Sequence, residues 1–364
     1  MQNPLPDKLY HSRVKPRKPD LRGDYFRDQT AIIHSSPFRR LKHKTQVFFS
    51  PQNDHICTRI EHVLHVSTIA TTLCKGLGLD VELAQAIALG HDLGHAPFGH
   101  IGEKVLDTVS RGTGGFIHEV HGLRVVDKIA LDGKGLNLTY AVRDGIVSHC
   151  GEEFNQAIAP GRRPKSLESV RRRQAAPLTY EGCAVRVADK IAYLGRDIED
   201  SITAGLITIR DVPRELKRNL GSTNGEIIDT LVRDAVKASF GADVIRFSDE
   251  RFKLLCRLRD FNYERIYSHP SILKSDAIIT SLLTDLFRFL ETFFRENAWD
   301  EKAYLQSNFR VVRQFSRFLF KRKLLYKSEP HPERCVVDFV AGMTDSYCLE
   351  AASEILFPKP VGIA

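Results

Sequence analysis

Residues 91 to 103, reading His-Asp-Leu-Gly-His-Ala-Pro-Phe-Gly-His-Ile-Gly-Glu, place three histidines and two carboxylates in thirteen positions beside a glycine-rich break. That density asks for a metal ion. An adjacent His-Asp pair offers one imidazole nitrogen and one carboxylate oxygen, a mixture suited to a borderline divalent ion such as Mn²⁺, Fe²⁺, Ni²⁺ or Zn²⁺. Taken alone, a His-Asp dipeptide means little and reads first as a helix cap or a surface hydrogen bond.

The pair has company. Upstream, Thr58-Arg59-Ile60-Glu61-His62 opens a segment whose apolar residues Ile60, Val63, Leu64, Ile69 and Leu73 recur with helical spacing. Downstream, Arg186-Val187-Ala188-Asp189-Lys190-Ile191-Ala192-Tyr193 sits inside a second helical pattern from about Cys183 to Ile202. His, then His-Asp, then Asp on successive helices is the signature of the HD phosphohydrolase superfamily. The chain resembles its deoxyguanosine triphosphate triphosphohydrolase branch, and more closely the bacterial dGTPase-like members. The resemblance begins at Arg27-Asp28 and at Ile33-His34-Ser35-Ser36-Pro37-Phe38-Arg39-Arg40-Leu41-Lys42-His43-Lys44-Thr45-Gln46-Val47-Phe48. It ends at Val337-Asp338-Phe339-Val340-Ala341-Gly342-Met343-Thr344-Asp345-Ser346-Tyr347, and these two strings are more specific than the HD pair.

The resemblance implies an all-α fold: an HD-domain helical bundle with additional C-terminal helices, in a single domain over 25–364. Its core is expected at about 55–205 and a C-terminal helical lobe at about 206–364. The metal ligands would be His62, His91, Asp92 and Asp189. Two imidazoles and two carboxylates fill four places of a roughly octahedral shell and cancel the +2 charge, leaving room for water and a phosphate oxygen. A closed structural zinc site would instead use closely spaced cysteine pairs. The seven cysteines form no C-x-x-C and read as buried thiols.

Arg59 and His62 are three apart and share a helix face, so a guanidinium lies beside the metal. Asp189, Tyr193 and Asp197 stand at i, i+4 and i+8, with Lys190 one step round. By resemblance, Arg59, Lys190 and Tyr193 contact the triphosphate. Arg259 and Tyr267 match a second phosphate-binding cation and an aromatic near the sugar, although Arg259 could simply pair with a nearby carboxylate. His100 and Glu103, three apart on a short helical turn, match the catalytic histidine and its acidic partner, an orienting arrangement for acid–base work. His95 and His118 match histidines facing the phosphates; a helix-end hydrogen bond and an ordinary surface histidine are their plainer readings. Gln46, flanked by Val47, matches the wall against the deoxyribose, which would exclude a 2′ hydroxyl.

The implied reaction is hydrolysis of a deoxynucleoside triphosphate at the α-phosphorus, releasing deoxynucleoside and inorganic triphosphate, with a divalent cofactor (Mn, Mg, Fe, Ni or Zn). Base preference is not encoded in any readable motif. A 5′-deoxynucleotidase or cyclic-nucleotide phosphodiesterase would share the ligands but lack the Phe38-to-Gln46 string. No Walker A string occurs, so P-loop chemistry is not supported. The resemblance also implies a homo-oligomer, with a second deoxynucleotide as effector at a subunit interface.

Net charge is +8, a balance that fits a cationic nucleotide pocket and equally a weak single-stranded nucleic-acid binder with a regulatory HD core. No zinc finger, RNP string or helix-turn-helix signature supports the second. Residues 1–24, with four prolines and five basic residues between Arg13 and Arg22, suggest an arm that is mobile or laid on a neighbouring subunit. Residues 155–179 read as a basic loop: solvated charge, an anion site for an activating nucleotide, a subunit contact, or nucleic acid. There is no apolar run long enough for a membrane span, no signal-peptide core and no disulfide framework, so a reducing cytoplasm is expected.

Overall fold

A computed structural model describes residues 1–47, 49, 55–151, 153–174 and 176–357. Phe48 of the first matched string, Ala175 of the basic loop and the end of the expected lobe, 358–364, lie outside the described residues. The fold is all-α. Its longer helices are α1 (Asp24–Ile33), α2 (Arg59–Leu77), α3 (Val81–Gly90), α4 (Gly99–Val109), α5 (His118–Arg124), α6 (Tyr140–Val147), α7 (Tyr180–Thr203), α8 (Asn224–Ser239), α9 (Asp249–Asn262), α10 (Pro270–Asn297), α11 (Arg310–Lys321), α12 (Arg334–Ala341) and α13 (Asp345–Leu356). Strand pairing in the described residues is limited to Ala157–Ile158 against Ile245–Arg246, antiparallel, and one isolated bridge, Thr45 with Thr58.

Local chemistry sets the helix ends that matter. A capping box starts α2: Glu61 Oε2 accepts from the Thr58 backbone N–H at 2.7 Å, and Gly78 in the left-handed region closes the helix. Asp80 caps α3, accepting from the Leu83 N–H at 3.0 Å. Thr179 caps α7 by accepting from the Gly182 N–H, so the helix begins slightly before its apolar pattern. α2, α3 and α7 bury Val66, Leu73, Ala84, Ile87, Ala188 and Ile191 in one core. Each fully buried Val, Leu or Ile side chain among them contributes about 1.5–3 kcal/mol; Leu73→Ala would cost about 3 kcal/mol once the cavity is counted.

Two apolar cores form. The first runs from Tyr10 to Ile266 and includes Ile207, Leu231 and Leu255; the second gathers α4, α10, α11, α12 and α13 around Leu286, Phe315 and Val340. Ile207, Leu231, Leu255 and Ile266 join the first core because α8 and α9 pack back onto α7, while the second core combines Ala96, Phe98, Val105, Leu106 and Phe116 with Ile279 and residues beyond it. The N-terminal segment lies along its own chain. The Tyr10 hydroxyl donates to the Leu178 carbonyl at 2.9 Å, Arg13 pairs with Asp24 and Asp28, and Asn3 Nδ2 donates to Glu181 Oε2 at 2.8 Å. Burial of Tyr10 and Arg13 anchors an arm that its prolines and charges alone suggested would be loose or given to a neighbour. No helix among the described residues is long and apolar enough to cross a membrane.

Candidate metal centre and active site

α2, the turn after α3 and the middle of α7 converge at one buried point. His62 Nε2 lies 3.0 Å from Asp189 Oδ1 and 4.0 Å from Asp92 Oδ2. His91 Nε2 lies 3.3 Å from Asp92 Oδ1 and 3.9 Å from Asp189 Oδ1. His91 donates its Nδ1–H to the Ala88 carbonyl at 2.7 Å, which leaves Nε2 as a lone pair, and that buried atom has no hydrogen-bond partner among the described residues. Burial pulls His91 down to about 4, so the ring is neutral and free to ligate. Burial pushes Asp92 the other way, but His91, Arg59 and His95 outweigh it and hold the carboxyl well below its usual range. Asp189 behaves likewise: burial raises it, the His62 hydrogen bond and charge win, and it falls to about 2. An orphaned imidazole lone pair facing two ionised carboxylates is a donor set that fits a divalent cation.

The HD turn is held by close backbone approach. Gly94 packs so tightly on α5 that a Cβ there would stand 2.1 Å from the His118 carbonyl oxygen and 2.2 Å from the Gly122 nitrogen. Phe98 takes a left-handed φ of 60°, with its N–H donating to Asp345 Oδ1 at 2.9 Å, and this bend launches α4.

Arg59 is buried and gives Nη1 to Asp92 Oδ2 at 2.5 Å, while Nε and Nη2 donate to the Thr45 and Gln46 carbonyls. The guanidinium is thus tied to a carboxylate of the centre as well as to the Lys44-to-Val47 segment. Gln46 Oε1 is buried without a hydrogen-bond partner among the described residues, and Val47 packs on the first core. Among the described residues Lys190 Nζ is also buried without a hydrogen-bond partner, and it sits 4.6 Å over the Phe154 ring, which Arg259 covers at 4.8 Å; Arg259 also pairs with Asp260. Burial, aided by Arg186, brings Lys190 down to about 8. On the same face of α7, Asp197 accepts from the Tyr267 hydroxyl, and burial pushes its carboxyl up to about 7. Burial and the charges of Asp189 and Asp197 raise the Tyr193 phenol.

Glu103 has a different main partner from the one its spacing suggested. Its Oε2 is 2.8 Å from His118 Nδ1 and 3.8 Å from His100 Nδ1. His118 is buried, not a surface residue, and stacks on His95 at a centroid distance of 3.9 Å; His95 Nε2 in turn lies 3.3 Å from Asp92 Oδ1. Burial lowers His118, but Glu103 and Glu119 outweigh it and lift the imidazole to about 10. His100 stands at the edge of the cluster with its side chain 76% exposed, its ring 5.8 Å from that of His95.

Three residues of this cluster escaped the sequence reading. His149 Nε2 lies 3.2 Å from His118 Nε2 and 3.8 Å from Asp92 Oδ1. Glu119 is wholly buried beside His118. Arg173 reaches out of the basic loop to give Nε to Glu119 Oε1 at 2.9 Å, with Nη2 3.5 Å from Glu103 Oε1. Lys165 of the same loop pairs with Asp144 at 2.8 Å, so two of its charges are spent on internal ion pairs. For His149 a signal existed: like His91 it follows an apolar helix and turns its Nδ1 to the carbonyl three residues back, here Ile146 at 2.7 Å.

Comparison with known proteins agrees with this architecture. The HD domain family model matches residues 59–194, and a phosphohydrolase-associated domain matches 245–354. A deoxyguanosinetriphosphate triphosphohydrolase-like protein of Caldanaerobacter subterraneus is 37% identical over 98% of this chain and 93% of its own length. One of the same description from Clostridium tetani is 36% identical over 96% of this chain and 90% of its own. A solved hypothetical protein from Aquifex aeolicus shares 20% identity over 83% of this chain and 68% of that one, at a TM-score of 0.42. With sequence similarity running almost end to end through both matched domains, the chain is a hydrolase of the HD phosphohydrolase class and belongs to the deoxyguanosinetriphosphate triphosphohydrolase-like family.

Proposed function

We propose that the chain hydrolyses deoxynucleoside triphosphates to deoxynucleoside and inorganic triphosphate. One observation carries the reading: His62, His91, Asp92 and Asp189 converge from three separate segments, with the His91 Nε2 lone pair left unpartnered. These residues would hold a divalent ion, which supplies Lewis-acid polarisation of a phosphoryl oxygen.

The chain's own groups would do the rest. Lys190 and Arg259, gathered on Phe154, offer positive charge along a polyphosphate, while Arg59 orients Asp92 and adds charge beside it. Gln46 and Val47 would wall the deoxyribose, with Tyr267 and Tyr193 on the α7 side; Asp197 holds the Tyr267 hydroxyl in place. His100, exposed where a substrate would enter, would give its proton to the departing 5′ oxygen, and the Glu103–His118–His95 stack would fix the surrounding field. A second deoxynucleotide at a subunit interface of a cytoplasmic homo-oligomer completes the reading.

The test is product analysis. The purified chain is offered each deoxynucleoside triphosphate singly and in pairs, with Mn²⁺ or Mg²⁺. Tripolyphosphate and deoxynucleoside in equal amounts are expected; orthophosphate released from a nucleoside monophosphate, with triphosphates untouched, would overturn the reading.

A further inference from the structure

We propose that Asp338, on α12 in the second core, is a positioning residue for His118: it fixes where α5 lies against the HD turn. Asp338 is buried and gathers four groups. Arg124 Nε donates to its Oδ2 at 2.9 Å, with Nη2 2.8 Å from that oxygen, and the Tyr326 hydroxyl donates to the same atom at 3.0 Å. His121 Nδ1 and Arg334 Nε stand 3.7 Å and 3.6 Å from Oδ1. Burial raises the carboxyl, but its neighbours, Arg124 foremost, outweigh that and hold it below its ordinary value, so the group is an anion at neutral pH.

Two of the four groups belong to α5. His118, His121 and Arg124 step through that helix in threes, so Asp338 grips the last turn while His118 opens the first. From α12, Arg334 Nη1 also donates to the Gly115 carbonyl at 2.5 Å and so holds the backbone that leads into α5. At about 1.5 Å per residue the seven-residue helix is about 10 Å long and moves as one piece.

The opposite face meets the HD turn. Gly94 has no room for a Cβ against the His118 carbonyl and the Gly122 nitrogen, and a Cβ on Gly122 would stand 3.7 Å from the His91 carbonyl oxygen. α5 is therefore a wedge that cannot advance, and Asp338 keeps it from withdrawing. Withdrawal would carry the His118 N–H and Nδ1 off Glu103, and the ring off His95, whose Nε2 lies 3.3 Å from Asp92 Oδ1. The rival account is that the cluster only glues two cores together. Buried ion pairs lose to desolvation much of what their attraction returns, so glue alone is a poor account of four groups on one carboxylate.

The experiment reads the ring directly. The full-length chain, carrying ¹⁵N-labelled histidine and free of substrate, gives imidazole nitrogen and ring-proton shifts, and those of His118 are assigned by their absence from His118→Gln. Asp338→Asn should move the His118 shifts and lower kcat about 10–100-fold with KM little changed. Tyr326→Phe, which removes one hydrogen bond and keeps every charge, should do the same to a smaller extent. Leu286→Ala, which opens a cavity in the second core without removing a charge or a hydrogen bond, should lower the denaturation midpoint yet leave the His118 shifts in place. Unchanged shifts in a folded Asp338→Asn, or equal changes in Leu286→Ala, overturn the proposal; if Asp338→Asn does not fold, unchanged shifts in Tyr326→Phe do so. Only the kcat arm rests on the function proposed above: absence of turnover in the unaltered chain would remove that function and leave the ring shifts to decide the role of Asp338.

Discussion

Lys44 Nζ donates to the carbonyl oxygen of Ala341 at 2.7 Å and, from the same buried position, to that of His95. One ammonium thus joins the Lys44-to-Val47 segment, the HD turn and the C-terminal string that ends in Tyr347. Asp345 adds a parallel tie, accepting from the Thr45 N–H and hydroxyl with one oxygen and from the Phe98 N–H with the other. The two strings that make the resemblance most specific are therefore one contact surface, and the second apolar core is fastened to the metal centre through it.

Lys44→Met should strand two buried carbonyls at that junction. Loss of about 3 kcal/mol in urea-induced unfolding is expected, since each buried carbonyl left unsatisfied costs about 1–3 kcal/mol. Stability unchanged to within about 0.5 kcal/mol would show that the junction is slack.

Asp189→Ala should abolish both metal occupancy and turnover, because it removes a ligand atom and a compensating charge. His100→Ala should retain the metal and lose about 10²–10⁴-fold in turnover, the usual worth of a positioned acid. Full activity of His100→Ala across the pH range would refute the proton-donor assignment; metal analysis beside steady-state kinetics separates the two variants.

Arg173→Ala should leave metal content unaltered and lower turnover by about tenfold, since Glu119 and Glu103 lose the cation that balances them beside His118. Arg173→Lys should restore part of the loss. Equal activity in all three proteins would mean that the ion pair only tethers the loop.

Asp197 gives a pH signature. Its carboxyl is raised to about 7 from 3.8 by burial, so between those values the folded state binds more protons than the unfolded one. The stabilisation is fully present below pH 3.8 and disappears as pH rises through 7. Asp197→Asn should therefore flatten the stability profile from about pH 4 to pH 7, measured as denaturation midpoint against pH. A slope identical to that of the unaltered chain would count against it.

The HD turn was legible because its residues are contiguous, and the helices bearing His62 and Asp189 because their apolar spacing is regular. Helical spacing also suggested Glu103 with His100, but it reports only neighbours on one helix. The shorter contact, to His118, crosses from α4 to α5 and depends on packing. Glu119 and Arg173 were missed for the same reason, each reaching the cluster from an element whose local pattern says nothing of its tertiary neighbours. Composition suggested an arm that is mobile or laid on a neighbouring subunit and a basic loop of solvated charge, anion or subunit contacts; their anchoring to the chain follows from individual pairings such as Lys165 with Asp144 and Arg13 with Asp28, which composition does not display.

The arm carries a practical consequence. Asn3 Oδ1 accepts from the Tyr180 N–H while its amide reaches Glu181, so the third residue of the chain braces the first turn of the helix that carries Asp189. Clipping by a protease, or a purification tag that drags the arm aside, would fray that turn and weaken the grip on the ion some two helical turns further on, a defect easily mistaken for poor metal loading during preparation.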